Sequence, residues 1–276
     1  MDRNYFSKVR ILDGGMGQEL LARGVEPNKT LWSANALLNK KFHQHVVNAH
    51  LDYIKAGAEV IVTTTFTTRR LRLKENGIEK KFEELNLIAC ELAKKAKELS
   101  KKDILIAGGL PPQNYTYKED NRDDEEIKND FYKQAKILNS FVDFFYFDVL
   151  SSAREFKLGI DSIKEFDKPY LIGIHISEGT KLPSGESISN VMNSIKKEKL
   201  LGVILGCISP ENYLLNVEEL KKSGFPFGFK INGFKRQCQI IQKNMKNPLA
   251  IQTNFLVREK ILHQKKFFNS QKKLKI

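Results

Sequence analysis

Glu59-Val60-Ile61-Val62-Thr63-Thr64-Thr65 is a short run of stiff β-branched residues that ends in hydroxyls. Side chains of this kind pack well on a pleated sheet and lose rotamer freedom in a helix, so the run reads as a strand. Its apolar part does not alternate with polar residues, as expected of a strand buried on both faces. Before it, a helical pattern runs from about Lys41 to Ala56 and is closed by Gly57. After it, Phe82, Leu85, Ile88, Ala89, Leu92 and Ala96 fall near helical spacing within Glu79–Ser100. A buried strand between two helices is the unit of a parallel sheet with crossover connections.

The same unit recurs on either side. Val9–Asp13, Ile104–Leu110, Val142–Leu150, Pro169–Ser177, Leu201–Cys207 and Pro226–Ile231 read as further strands. Helices are expected over Asp123–Asn139, Ser187–Glu198 and Pro210–Ser223, with Ser209 as cap, Pro210 in the first position and Gly224 as the stop. Another is expected to start at Ser151 or Ser152, with Glu155 at capping-box spacing from Ser152. No GxGxxG follows the first strand, which argues against a dinucleotide fold. Each strand ends in small or polar residues: Asp13-Gly14-Gly15, Thr63-Thr64-Thr65, Gly108-Gly109, Asp148, His175 and Ser177, Gly206-Cys207, Asn232-Gly233. In an open sheet these would form a row. In a barrel they converge on one rim, where such folds carry their active sites. The expected fold is therefore a (β/α)8 TIM-type barrel. After residue 234 the rhythm stops, so the barrel is expected to be incomplete at its eighth strand. The expected division is a barrel domain over 1–234 and a basic irregular tail over 235–276, with a helix near Ala250–Phe268.

Length and composition agree with this. The 276 residues, 41% hydrophobic and 29% charged, suit one barrel with a sizeable core. No apolar run approaches the roughly 20 residues of a membrane helix, and Met1–Lys8 lacks the apolar core of a secretory signal. Cys90, Cys207 and Cys238 make no disulfide framework, so a cytoplasmic location is expected. Of the net charge of +13, ten units lie in 235–276, where eleven Lys and Arg face the single acid Glu259. The nearly balanced body speaks against a specific nucleic-acid surface. The partners expected are small molecules, with no membrane and no particular oligomeric state.

At the strand ends the chain resembles the homocysteine S-methyltransferase family. The segments that carry the resemblance are Ile11-Leu12-Asp13-Gly14-Gly15-Met16-Gly17-Gln18-Glu19-Leu20, Leu31-Trp32-Ser33-Ala34, Tyr53–Phe66, Ala107–Pro112 with Tyr115, Gly206-Cys207 with Ser209-Pro210-Glu211, and Phe229–Phe234. Their order matches and they span residues 9 to about 234. The resemblance implies a barrel that moves a methyl group from a small onium donor to the thiol of homocysteine, giving methionine. The donor would be of the S-methylmethionine, S-adenosylmethionine or betaine type. It also implies zinc, which would coordinate and deprotonate the thiol.

Residue by residue, the resemblance makes Cys207 the catalytic zinc ligand. Asp13, Gly14, Gly15, Thr65, Asp148 and Asn232 become substrate-binding residues: Asp13 and Asp148 for the amino group, the two glycine amides for the carboxylate. Trp32 and Tyr115 are candidates for the donor pocket, since an aromatic face attracts an onium methyl group. His175 reads as a core residue of its strand, and His43, His45 and His50 as surface residues of a helix. Two departures stand out. The family ends its last strand in a Gly-Gly-Cys-Cys motif that completes the zinc site, and no adjacent cysteines exist here. Asp148 stands where a glutamate is usual. The C-terminus is thus divergent or truncated, and the alternative expectation is a catalytically impaired barrel that binds a small amino acid without zinc-dependent transfer.

Overall fold

The computed structural model describes residues 1–26, 28 and 30–231, and the backbone of 251–253. Eight parallel strands close into a ring in chain order. β1 is Arg10–Leu12, β2 Val60–Val62, β3 Leu105–Leu110, β4 Phe144–Leu150, β5 Tyr170–His175, β6 Leu200–Ile208, β7 Phe227–Ile231 and β8 Ile251–Thr253. The helices between them are α1 Met16–Ala22, α2 Ala34–Leu38, α3 His43–Ala56, α4 Arg70–Glu75, α5 Phe82–Ser100, α6 Asp124–Leu138, α7 Ala153–Ser162, α8 Ile188–Ser194 and α9 Pro210–Lys222.

The barrel and its first seven strands are as the sequence predicts. The eighth strand is a correction. Ile251–Thr253 pairs with β1 on one side (Arg10 opposite Ile251, Leu12 opposite Thr253) and with β7 on the other (Phe229 opposite Gln252). Three residues suffice because β1 offers three, so the triplet Ile251-Gln252-Thr253, with a single apolar residue, escaped a search for apolar runs. The edges of β1 and β7 are paired, which removes the aggregation liability an open ring would carry. The start of the helix expected at Ala250–Phe268 is strand instead. Its remainder, Asn232 and Cys238 lie outside the described residues.

Local chemistry explains the helix boundaries. Ser152 caps α7 by accepting the Glu155 N–H, while the Glu155 carboxylate accepts the Ser151 N–H and the Ser152 hydroxyl. Ser209 accepts the Asn212 N–H with Pro210 first in α9, and Gly224 follows at φ +71°. Outside the ring, Phe131, Phe147 and Phe156 are fully buried in the layer between strands and helices. Such a side chain contributes about 1.5–3 kcal/mol by leaving water. Inside the ring lies a second apolar stack that includes Leu12, Val60, Ala107, Phe144, Tyr146, Leu171 and Ile204. This stack plugs the barrel from below and leaves only the C-terminal rim for chemistry.

Candidate active site at the barrel mouth

Along β4, Phe144, Tyr146 and Asp148 alternate inward, so the column rises from apolar plug to carboxylate. Tyr146 is fully buried. It fits because a glycine faces it: a Cβ on Gly173 would stand 2.7 Å from its hydroxyl. Above it, Lys230 of β7 reaches across the ring, with Nζ 3.2 Å from Asp148 Oδ2. Both side chains are largely buried, at 14% and 8% exposed. Burial alone would lower the lysine pKa; Asp148, with Cys207 and Asp13, outweighs it and holds Lys230 above the ordinary value. The ammonium also lies 5.8 Å from the Tyr146 ring centre.

Asp13 follows β1 and is 2% exposed. Its N–H donates to Val60 O at 2.9 Å and its Oδ2 accepts the Val62 N–H at 2.8 Å, so the side chain extends the β1–β2 ladder into the mouth. Desolvation raises its pKa from 3.8 to about 7; Lys230 and the Val62 N–H pull it down and Asp148 pushes it up. Gly14 is buried beside it, and Gly15 precedes α1. His50 corrects the surface assignment: it is fully buried, with Nδ1 3.8 Å from Asp13 Oδ2 and Nε2 3.4 Å from the Thr64 hydroxyl. Burial lowers its pKa to about 3, so it faces Asp13 as a neutral ring and the two are not an ion pair.

Thr65 is buried at the end of β2, but its hydroxyl is spent on the scaffold. It donates to Gly109 O at 2.7 Å and meets the Thr63 hydroxyl at 2.9 Å, while Gly109 N–H donates to Thr63 Oγ1. These bonds lock β2 to β3 below the mouth.

Cys207 sits where the β6–β7 register shifts, at φ +52°, and Val149 sits at the matching shift between β4 and β5, at φ +65°. A left-handed backbone costs a β-branched residue on the order of 1–3 kcal/mol, and bulges beside active sites re-aim side chains. The Cys207 side chain is in hydrogen-bond contact with Tyr117, whose hydroxyl burial and Cys207 together hold well above its usual pKa. Tyr117 in turn covers His175, ring centres 4.2 Å apart. Both ring nitrogens of His175 are engaged, with Gly206 O at 3.2 Å and the Ser177 hydroxyl at 2.8 Å.

The structure thus brings Asp13, Asp148 and Cys207 to one rim, together with three residues that sequence reasoning did not select: Lys230, Tyr146 and Tyr117. Lys230 carried a signal, a charge inside an otherwise apolar strand. Tyr117 carried none, because its loop position was unpredictable. Trp32 and Tyr115 are 40% and 50% exposed, and the Trp32 indole lies against Gly17.

Comparison with known proteins agrees with this fold. The family model described as homocysteine S-methyltransferase matches residues 10–260. The S-methylmethionine–homocysteine S-methyltransferase of Pongo abelii is 28% identical over 229 residues, 80% of this chain and 58% of that one. Homocysteine S-methyltransferase 2 of Saccharomyces cerevisiae is 24% identical, covering 68% and 64%. The chain therefore spans about three fifths of the length of these curated relatives. Among solved structures, the homocysteine methyltransferase of Escherichia coli superposes in its oxidized form with a TM-score of 0.81 over 95% of this chain and 96% of that one, at 19% identity. Its metallated form gives 0.77 over 89% and 90%, at 20% identity. With the family model matching nearly the whole chain and the fold agreeing, the chain belongs to the homocysteine S-methyltransferase family.

Proposed function

We propose that this barrel transfers a methyl group from a small sulfonium or ammonium donor to the thiol of homocysteine, giving methionine. The observation that carries this reading is the convergence of Asp13, Asp148 and Cys207 at the C-terminal rim, within a chain of this family. Asp13 is held ready for a cation, since a buried carboxyl with a pKa near 7 ionises when an ammonium arrives. Gly14 and Gly15 allow the substrate backbone to come close. Tyr117, whose hydroxyl contacts Cys207 and which is 44% exposed, brings to the rim an aromatic ring of the kind that attracts an onium methyl group. In the reaction the thiol first gives up its proton to solvent water. The sulfur lone pair then forms the new S–C bond in line as the donor's bond to methyl breaks, and the donor leaves as a neutral thioether or amine. The reading places the protein in a reducing, cytoplasmic setting.

The family expectation of zinc does not fit the described residues. Among the described residues, no three His, Cys, Asp or Glu side chains gather to hold an ion. Asp148 is paired with Lys230 and both His175 nitrogens are bonded, which leaves Cys207 and Asp13 on this rim among the described residues, fewer than the three ligands a zinc site needs. The sequence has no adjacent cysteines, and a buried ammonium beside the thiol opposes a dication. This favours a second reading, a barrel that binds the amino acid without zinc-dependent transfer. Incubation of the full chain with homocysteine and S-methylmethionine, S-adenosylmethionine or betaine separates the two. Methionine formed with one donor supports the enzyme. Homocysteine binding by calorimetry without methionine from any donor replaces it with the binding module.

A further inference from the structure

The barrel mouth contains more polar groups than it satisfies. His50 Nδ1 is buried without a hydrogen-bond partner, and Asp148 Oδ1 and the Tyr146 hydroxyl are buried with no partner but each other. Lys230 has three N–H donors and one carboxylate partner, at 3.2 Å. Buried polar groups left unpaired are costly and in native proteins are rarely tolerated without a purpose. Asp148, Tyr146 and Lys230 lie within electrostatic reach of Asp13, and His50 Nδ1 is 3.8 Å from its Oδ2, so the groups gather at the ends of β1, β4 and β7 and on α3. A ligand that completes them must offer several donors to the carboxylates and an acceptor to the ammonium. A free α-amino acid has both, attached to one carbon.

We propose that Lys230 binds the α-carboxylate of the amino-acid substrate alongside the Gly14 and Gly15 amides, while the ammonium goes to Asp13 and Asp148 as the family resemblance implies, so that the mouth selects the zwitterion. This rests on the function proposed above and assigns Lys230 a part in it. The charge balance agrees. Asp13 and Asp148 exceed Lys230 by one negative charge when both are ionised, and the ammonium neutralises that excess. The incoming carboxylate takes donors of Lys230 that the Asp148 pair leaves over. No metal ion takes part in this recognition.

The test is calorimetric titration of the full chain at pH 7.5 in the presence of chelator. The ligands are homocysteine and its decarboxylated analogue 3-aminopropanethiol. The wild type binds homocysteine on the order of 10- to 100-fold more tightly, the value of a charge-assisted hydrogen bond in a buried site. Lys230→Met brings the two ligands within about 3-fold of each other. Lys230→Arg keeps most of the preference, and Lys230→Gln provides a second uncharged variant should the methionine form fail to fold. A merely structural lysine would weaken both ligands alike and leave their ratio unchanged. A folded uncharged variant that retains the wild-type ratio overturns the assignment of Lys230 but leaves the proposed function standing. A folded wild type that binds no homocysteine removes both.

Discussion

Lys230 and Asp148 face each other across the ring, from β7 and β4, with Nζ 3.2 Å from Oδ2. The strands that carry them are not neighbours, so the pair ties opposite walls of the barrel above the Tyr146 plug. Removing one partner of a buried pair leaves an uncompensated charge and costs about 3–5 kcal/mol, whereas replacing both is often close to neutral. Chemical denaturation should therefore rank Lys230→Met and Asp148→Asn each well below wild type. The double variant should be more stable than the sum of the single losses predicts. Additive losses would show that the two groups do not share an interaction.

Asp13 predicts a pH dependence of unusual sign. Its pKa is 3.8 when unfolded and about 7 when folded. Below pH 4 the carboxyl is protonated in both states and burial carries no ionic penalty. Between pH 4 and 7 the unfolded chain ionises first, so this group lowers native stability as pH rises, with the loss complete above 7. Ammonium binding runs the other way, because ionised Asp13 is the binding form. Amino-acid affinity should rise between about pH 6 and 8 and then level. In Asp13→Asn both dependences should flatten, as followed by thermal melts and calorimetry across that range. A wild-type affinity that is flat from pH 6 to 8 would show that Asp13 does not hold the ammonium.

Closure by β8 makes a third prediction. A chain ending at residue 250 loses the strand that pairs with both β1 and β7. Two parallel edges then become open to other chains. Size-exclusion chromatography should find that truncated chain aggregated or insoluble. A monomer with wild-type melting would mean that the ring holds without Ile251–Thr253.

Much of this was legible in the sequence for a simple reason. Strands buried on both faces are written as unbroken apolar runs, and the rim residues follow them directly, so Asp13, Asp148 and Cys207 could be picked from one dimension. What was not legible depended on three-dimensional contact. Ile251–Thr253 is too short to stand out from its surroundings, and only its two partners make it a strand. His50 looked like a polar residue on an amphipathic helix, but α3 turns that position onto Asp13. Thr65 looked like a binding hydroxyl, yet it braces Gly109. The left-handed backbone of Cys207 belongs to a register shift between two strands, which no local pattern announces.

The most direct test of the function is the fate of a labelled methyl group. The full chain is incubated with homocysteine and S-methylmethionine carrying deuterated methyl groups, and methionine is read by mass spectrometry. More than one equivalent of deuteromethyl methionine per chain, reduced at least about tenfold in Asp13→Ala, is the predicted result. Homocysteine bound at the mouth but recovered without label, with this and the other onium donors, would contradict methyl transfer by this barrel.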